Sequence, residues 1–478
     1  MLFPTVEYAV FFLAVLAIAW SIARWLQPHK FFLLGASYLF YGFWSWRYVP
    51  LLFFVSLFAG LIGIAIQRSE DQAARKYLLT FGVVVCLLIL AYYKYTSFLL
   101  LSTMGLWGLV GRTSTKLIGL WRLPAPFLPL GISFFVFHAI SLMGDVYRGK
   151  LKIKLTLLDS LLYVAFFPQL IAGPILRASS FIPQLARRRD PNAIRVNRAF
   201  LLILSGLVKK VILSNTLSAR LVEPVFASPT EFHRIDVLLA IYGYAAQIYC
   251  DFSGYTDIAT GCALLLGYRF PRNFNAPYMA TDPSDFWQRW HISLSSWLRD
   301  YLYIPLGGSR AGTVRTYANL MITMLLGGLW HGASWTFVMW GALHGLYLIG
   351  HRMWVALPFP FLQRLRTTYW WTWVARLLMF HAVCIGWVYF RSPTFALARE
   401  VFHQLLSRGP ITMATWPVML CLCLGILGQY IPRFLRRDLE ALMSRTPMLV
   451  NGTALALGVY VIELLGPTGV APFIYFQF

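Results

Sequence analysis

The chain has 478 residues, 59% hydrophobic and 17% aromatic, with only 12% charged. A soluble domain is about one-quarter charged, so a water-soluble globule is excluded and a polytopic membrane protein is expected. The net charge of +23 would point to nucleic acid in a soluble chain. Here it is expected in short cytoplasmic loops and beside anionic headgroups, so the lipid bilayer is the partner and nucleic acid is not.

A helix needs about 17–25 apolar residues to span a bilayer. In chain order, apolar runs fall at 6–22, 31–44, 49–66, 77–93 and 97–110. They continue at 127–143, 155–172, 199–213, 237–249 and 256–266, then at 320–329, 335–349, 370–390, 413–429 and 449–465. The first run lacks a basic leader and a small-x-small cleavage pattern, so it is expected to stay as a membrane helix. Several runs are too short to span alone. The expected fold is all-α, one integral-membrane domain over 1–478, with about 11 transmembrane helices plus re-entrant or short helices. Arg24 and Lys30 after the first run argue for an outside amino terminus, and the Arg68/Arg75/Lys76 cluster keeps the alternation acceptable to about Tyr95. The count then fails because Lys150, Lys152 and Lys154 fall outside, and re-entrant segments are the expected reason.

Two polar belts interrupt the apolar pattern, an arginine-rich one at 177–198 and a second at 268–315. In the second, Asp282 or Ser284 is placed to cap a helix that starts near Asp285 and runs to about Tyr303. Residues four apart share a helix face, so His291, Ser295 and Arg299 form a polar row. Trp290, Leu294, Trp297 and Leu298 form the apolar side. Such a helix lies at an interface or lines a cavity mouth.

His331 carries the sharpest chemical signal. It sits in the apolar stretch 319–349, after Gly327-Gly328 and before Gly332. An intramembrane imidazole is a functional hypothesis, and glycines permit a kink and close helix approach. A general base and a core histidine bonded to a carbonyl are both compatible with that position. His344, thirteen residues on, falls about 220° around a continuous helix, so a shared metal site is not expected. The six cysteines form no C-x-x-C pair and read as small buried hydrophobes, with neither disulfide nor metal inferred. Asp145, Asp251 and Asp257 read either as a proton relay or as partners and caps. Phosphate-loop, H-E-x-x-H and complete G-x-S-x-G patterns are missing.

Longer motifs then stand in order: Leu-Pro-Leu-Gly-Ile-Ser-Phe-Phe at 128–135, Asp145-Val-Tyr-Arg-Gly149, Phe166-Phe-Pro-Gln-Leu-Ile-Ala-Gly-Pro-Ile175 and Asp251-Phe-Ser-Gly-Tyr-Thr-Asp257. They are followed by Phe286-Trp-Gln-Arg-Trp-His-Ile-Ser-Leu-Ser-Ser-Trp-Leu-Arg-Asp300, Tyr303-Ile-Pro-Leu-Gly-Gly308, Leu329-Trp-His-Gly-Ala-Ser-Trp335 and Pro472-Phe-Ile-Tyr-Phe-Gln-Phe478. Together they resemble the membrane-bound O-acyltransferase family, and within it the branch that acetylates alginate and other exopolysaccharides or moves D-alanine onto teichoic acid. The resemblance implies tilted helices around a central funnel, with an acyl donor entering from the cytosol and an acceptor from the opposite side. It maps the family's histidine onto His331 and a second one onto His291. His138 departs from the pattern, since relatives often carry Gln there.

The expected function is thus an O-acyltransferase of the bacterial inner membrane. It would hold no bound cofactor, and acetyl-CoA would donate to a polysaccharide hydroxyl, or to a periplasmic acetyltransferase or acyl-accepting protein. His331 is the expected base, with His291, Ser295 or backbone amides near Gly332 as oxyanion donors. Arg289 and Arg299 either hold donor phosphates or face headgroups. Trp290, Asp300 and Trp330 complete the expected substrate contacts. Direct transfer is favoured over a covalent intermediate. D-alanyl transfer, a proton-coupled transporter and a non-catalytic scaffold are the alternatives.

Overall fold

The computed structural model describes residues 3–109, 127–310 and 312–466, which form helices and irregular connections with no strand among them. The 472–478 motif and the last residue of the 97–110 run lie outside these. Among the described residues, four helices are long and apolar enough to cross a membrane: Trp46–Arg68, Gln72–Thr103, Val196–Ala227 and Tyr369–Arg391. Shorter apolar helices cover Val6–Ser21, Ile132–Tyr147, Trp416–Tyr430 and Leu449–Leu465. The elements that position the site are α1 (Val6–Ser21), α2 (Leu26–Gly42), α3 (Val49–Arg68), α4 (Gln72–Leu109), α5 (Ile132–Tyr147), α6 (Leu157–Ala165), α7 (Val196–Leu207) and α8 (Arg234–Leu265). They continue with α9 (Pro283–Arg289), α10 (Ile292–Leu298), α11 (Thr313–His331), α12 (Trp335–Ala356) and α13 (Tyr369–Arg391).

Two pairs of apolar runs prove to be single helices. Runs 77–93 and 97–110 merge into α4, which passes through Lys94. Runs 237–249 and 256–266 merge into α8, which passes through Asp251. A charge breaks the hydropathy in each case, but not the helix, because a neighbouring element supplies the partner. Asp251 pairs with Lys210, both side chains almost fully buried. Asp257 lies 2.6 Å from Lys209 Nζ, which also donates to Ser253 Oγ at 3.1 Å. Both lysines sit in a widened π-helical stretch, Val208–Ser214, that follows α7. Asp145 accepts from the Tyr301 hydroxyl at 2.5 Å and from the Ser179 N–H at 3.0 Å. The three acids therefore act as partners and caps in this fold, paired with lysine or tyrosine.

Counting α4 once also changes the charge alternation. Arg75 donates to the Tyr147 carbonyl at 2.9 Å, and Gln67 donates to the Ile153 carbonyl at 2.9 Å. Arg68, Arg75 and Lys76 thus share one end of the bundle with Lys150, Lys152 and Lys154, as the positive-inside asymmetry requires of a single face. The apparent mismatch arises from reading α4 as two crossings, and no re-entrant segment is needed to explain it.

Lys30 corrects a second charge reading. Its Nζ lies 2.6 Å from Asp159 Oδ1, with both side chains at 5% exposure or less, so it faces a buried carboxylate rather than headgroups. Removing one partner of a buried pair costs about 3–5 kcal/mol, whereas replacing both with apolar groups is often neutral. Lys30→Met should therefore lower the thermal midpoint in detergent strongly, and Lys30→Met with Asp159→Leu should recover most of the loss.

Candidate active site

The site is built on a helix break. α11 ends at His331, Gly332 is extended, and Ser334 Oγ accepts the Thr336 N–H at 3.2 Å to start α12. The two helices touch at glycines. A Cβ on Gly328 would lie 2.3 Å from the Phe337 carbonyl oxygen, and one on Gly332 would lie 2.1 Å from the Phe337 ring. This approach sets Trp340 of α12 against His331, with ring centroids 5.0 Å apart. Trp330 at 5.0 Å and Phe390 of α13 at 5.1 Å close the cage, leaving His331 3% exposed. Because His344 sits on α12, beyond the break, the rotation expected for one continuous helix does not apply. Its ring lies 4.7 Å from Trp340, so one indole touches both histidines.

The last turn of α11 is held by α4. Tyr95 donates its hydroxyl to the Leu329 carbonyl at 2.7 Å. The Lys94 ammonium donates to the Trp330 carbonyl and, at 3.0 Å, to the His331 carbonyl. Sequence reading missed both residues because it placed Lys94 in a loop. The available signal was a lone lysine between two tyrosines in an otherwise apolar stretch.

His291 arrives by a different route from the one its sequence suggests. The single helix expected from Asp285 to Tyr303 is two, α9 and α10, with His291 between them in the left-handed region at φ 41°. Asp282 does cap α9, its Oδ1 accepting the Asp285 N–H at 2.9 Å. The segment at 273–275 clamps the break. Asn275 N–H donates to the Arg289 carbonyl and Ile292 N–H to the Asn273 carbonyl, both at 2.9 Å. Asn273 Oδ1 accepts from the Ser293 N–H and hydroxyl. The turn drives the His291 ring inward, fully buried, 4.6 Å from Phe252 and 6.0 Å from Trp330.

The expected polar row therefore dissolves. Arg299 leaves 65% of its side chain exposed and bonds Asp300, which also binds Arg177 at 3.1 Å. Ser295 Oγ donates to the Trp287 carbonyl at 2.7 Å. Arg289 is tied to Asp285 at 2.6 Å and to the Asn275 carbonyl at 3.3 Å. Trp290 is core, packed on Phe274, Phe286 and Trp387. The structure thus gathers His331, Trp330 and His291 and leaves Ser295, Arg289, Trp290, Arg299 and Asp300 in supporting positions. His138 is fully buried, and its Nε2 accepts the Leu176 N–H at 3.2 Å, which links α5 to the residue that follows the 166–175 motif.

An aromatic column leads away from the cage along α5. Trp330 meets Phe137 at 5.3 Å, Phe137 stacks on Trp297 at 3.7 Å, and Trp297 meets Tyr301 at 5.2 Å. Arg177 and Arg148 lie over Tyr301 at 4.6 and 5.0 Å.

The profile of the membrane-bound O-acyltransferase family matches residues 39–391 of this chain. The chain belongs to that family. It is a membrane O-acyltransferase. It is 40% identical to a probable alginate O-acetylase of Azotobacter vinelandii, over 82% of this chain and 76% of that one. It is 36% identical to a probable alginate O-acetylase of Pseudomonas putida, over 93% and 94%. It is 32% identical to a peptidoglycan O-acetyltransferase of Helicobacter pylori, over 80% and 75%.

Overpacking a tight contact costs about 1–3 kcal/mol, and the atom facing Gly328 is backbone that cannot rotate away. Gly328→Ala in this acyltransferase should separate α11 from α12, lowering the thermal midpoint and slowing acyl transfer together. The same change at the uncrowded Gly350 should do neither.

Proposed function

We propose that this enzyme moves an acetyl group from acetyl-CoA, on the cytosolic side of a bacterial inner membrane, to a hydroxyl of an exopolysaccharide or of a periplasmic partner that completes transfer. The observation that carries the reading is the buried cluster of His331, Trp330 and His291 at a helix break, in a chain that matches relatives named as O-acetylating enzymes at 32–41% identity over most of its length and teichoic acid D-alanyltransferases at 29–31% over about half of it. Those names, alginate O-acetylase and peptidoglycan O-acetyltransferase, favour acetyl over D-alanyl transfer and a polysaccharide-linked acceptor.

A sugar hydroxyl is a weak nucleophile toward a thioester at neutral pH, and a positioned base adds about 10²–10⁴-fold. His331 takes the hydroxyl proton as the oxygen attacks the thioester carbonyl carbon. The carbonyl electron pair moves to its oxygen, then returns as the carbon–sulfur bond breaks. The departing thiolate recovers the proton from the imidazolium. His291 Nε2 and Trp330 Nε1 are buried without a partner among the described residues, which leaves them to donate to the oxyanion. Ser295 is a poorer donor because its hydroxyl already serves a carbonyl. Arg177, Arg148 and the exposed Arg299 suit the donor's phosphates at the basic end. Arg289, held by Asp285, suits a structural role.

The test is transfer of label from acetyl-CoA to deacetylated alginate oligosaccharides by purified protein in lipid. His331→Ala should slow transfer at least about 10²-fold, with a smaller loss for His291→Ala. A folded His331→Ala protein that keeps the parental rate removes the base assignment. Label that never leaves coenzyme A, with sugar or with a periplasmic acetyltransferase added, removes the donor assignment.

A further inference from the structure

We infer that Lys94 is a positioning residue for His331: its ammonium, on α4, closes the carboxyl end of α11 and fixes the imidazole at the helix break. The inference rests on the role proposed for His331 above.

A helix leaves its last four carbonyls without intrahelical donors. At the buried end of α11 each of the four has one. The Gly332 N–H serves Gly328 at 3.4 Å, the Tyr95 hydroxyl serves Leu329 at 2.7 Å, and Lys94 serves both Trp330 and His331. An ammonium carries three donors, and the third reaches Ser133 Oγ of α5 at 3.4 Å. Its donors are thereby used, so Lys94 acts through the helix rather than by touching substrate. Its Nζ also lies 5.8 Å from the centre of the Trp330 ring, within cation–π range.

The choice of residue separates positioning from simple capping. A cation inside a membrane-spanning helix is costly, and such residues mark function by default. A positive charge at a helix carboxyl terminus also opposes the negative end of the helix dipole. Because His331 is the final residue of α11, its ring direction depends on a turn that would otherwise fray. A misplacement of about 1 Å costs around 10²-fold in rate.

The experiment compares the parent, Lys94→Met, Lys94→Arg and His331→Ala in lipid. It reads kcat and KM for acetyl-CoA, together with amide hydrogen exchange over residues 329–332. Lys94→Met should lower kcat about 10- to 100-fold with KM within about twofold. It should speed exchange at Gly332 by about tenfold or more. Lys94→Arg, which keeps charge and donors, should restore most of both. Parental kcat or parental exchange in Lys94→Met overturns the inference, as does an equal loss in Lys94→Arg. If Lys94→Met does not fold, Lys94→Gln replaces it under the same expectations. Equal rates for the parent and His331→Ala would instead sink the proposed chemistry, and the exchange comparison would still decide whether Lys94 holds the end of α11.

Discussion

Inside a membrane no water is available to satisfy a polar group, so each backbone carbonyl and each charge must find its partner within the protein. That constraint organises this molecule. Lys30 is placed against Asp159, Lys210 against Asp251, and Lys94 against the carbonyls that end α11. Each link joins elements far apart in the chain. The polar residues that seem to interrupt the apolar sequence are the ones that tie its helices together.

The same constraint accounts for the form of the site. A histidine at a helix end would usually be solvated. Here the end is sealed by α4 and the ring is enclosed by Trp330, Trp340 and Phe390. Exclusion of water strengthens electrostatic interactions around such a ring. The close approach at Gly328 and Gly332 brings Trp340 within reach, so the glycines shape the cage through packing. His291 needs a comparable device, a left-handed backbone turn held by Asn273 and Asn275.

The aromatic column from Trp330 to Tyr301 joins two regions of different character. One is apolar and holds the two imidazoles. The other carries Arg148, Arg177, Arg299 and Asp300. The column thus joins an apolar, imidazole-bearing region to a basic one along α5.

The sequence by itself determined the membrane class, the family motifs, the kink that glycines permit near His331 and a helix start near Asp285 with Asp282 or Ser284 as its cap. These depend on near neighbours: apolar content, glycines flanking an imidazole, an aspartate three residues ahead of an amide. It misplaced what depends on distant partners. α4 and α8 read as broken because hydropathy averages along the chain, whereas the groups that neutralise Lys94 and Asp251 come from other helices. His291, Ser295 and Arg299 read as one face because their spacing fits a helix, whereas residues 273–275 clamp a turn there. Only the tertiary structure decided that Lys94 meets His331, since a buried charge is settled by what surrounds it in space.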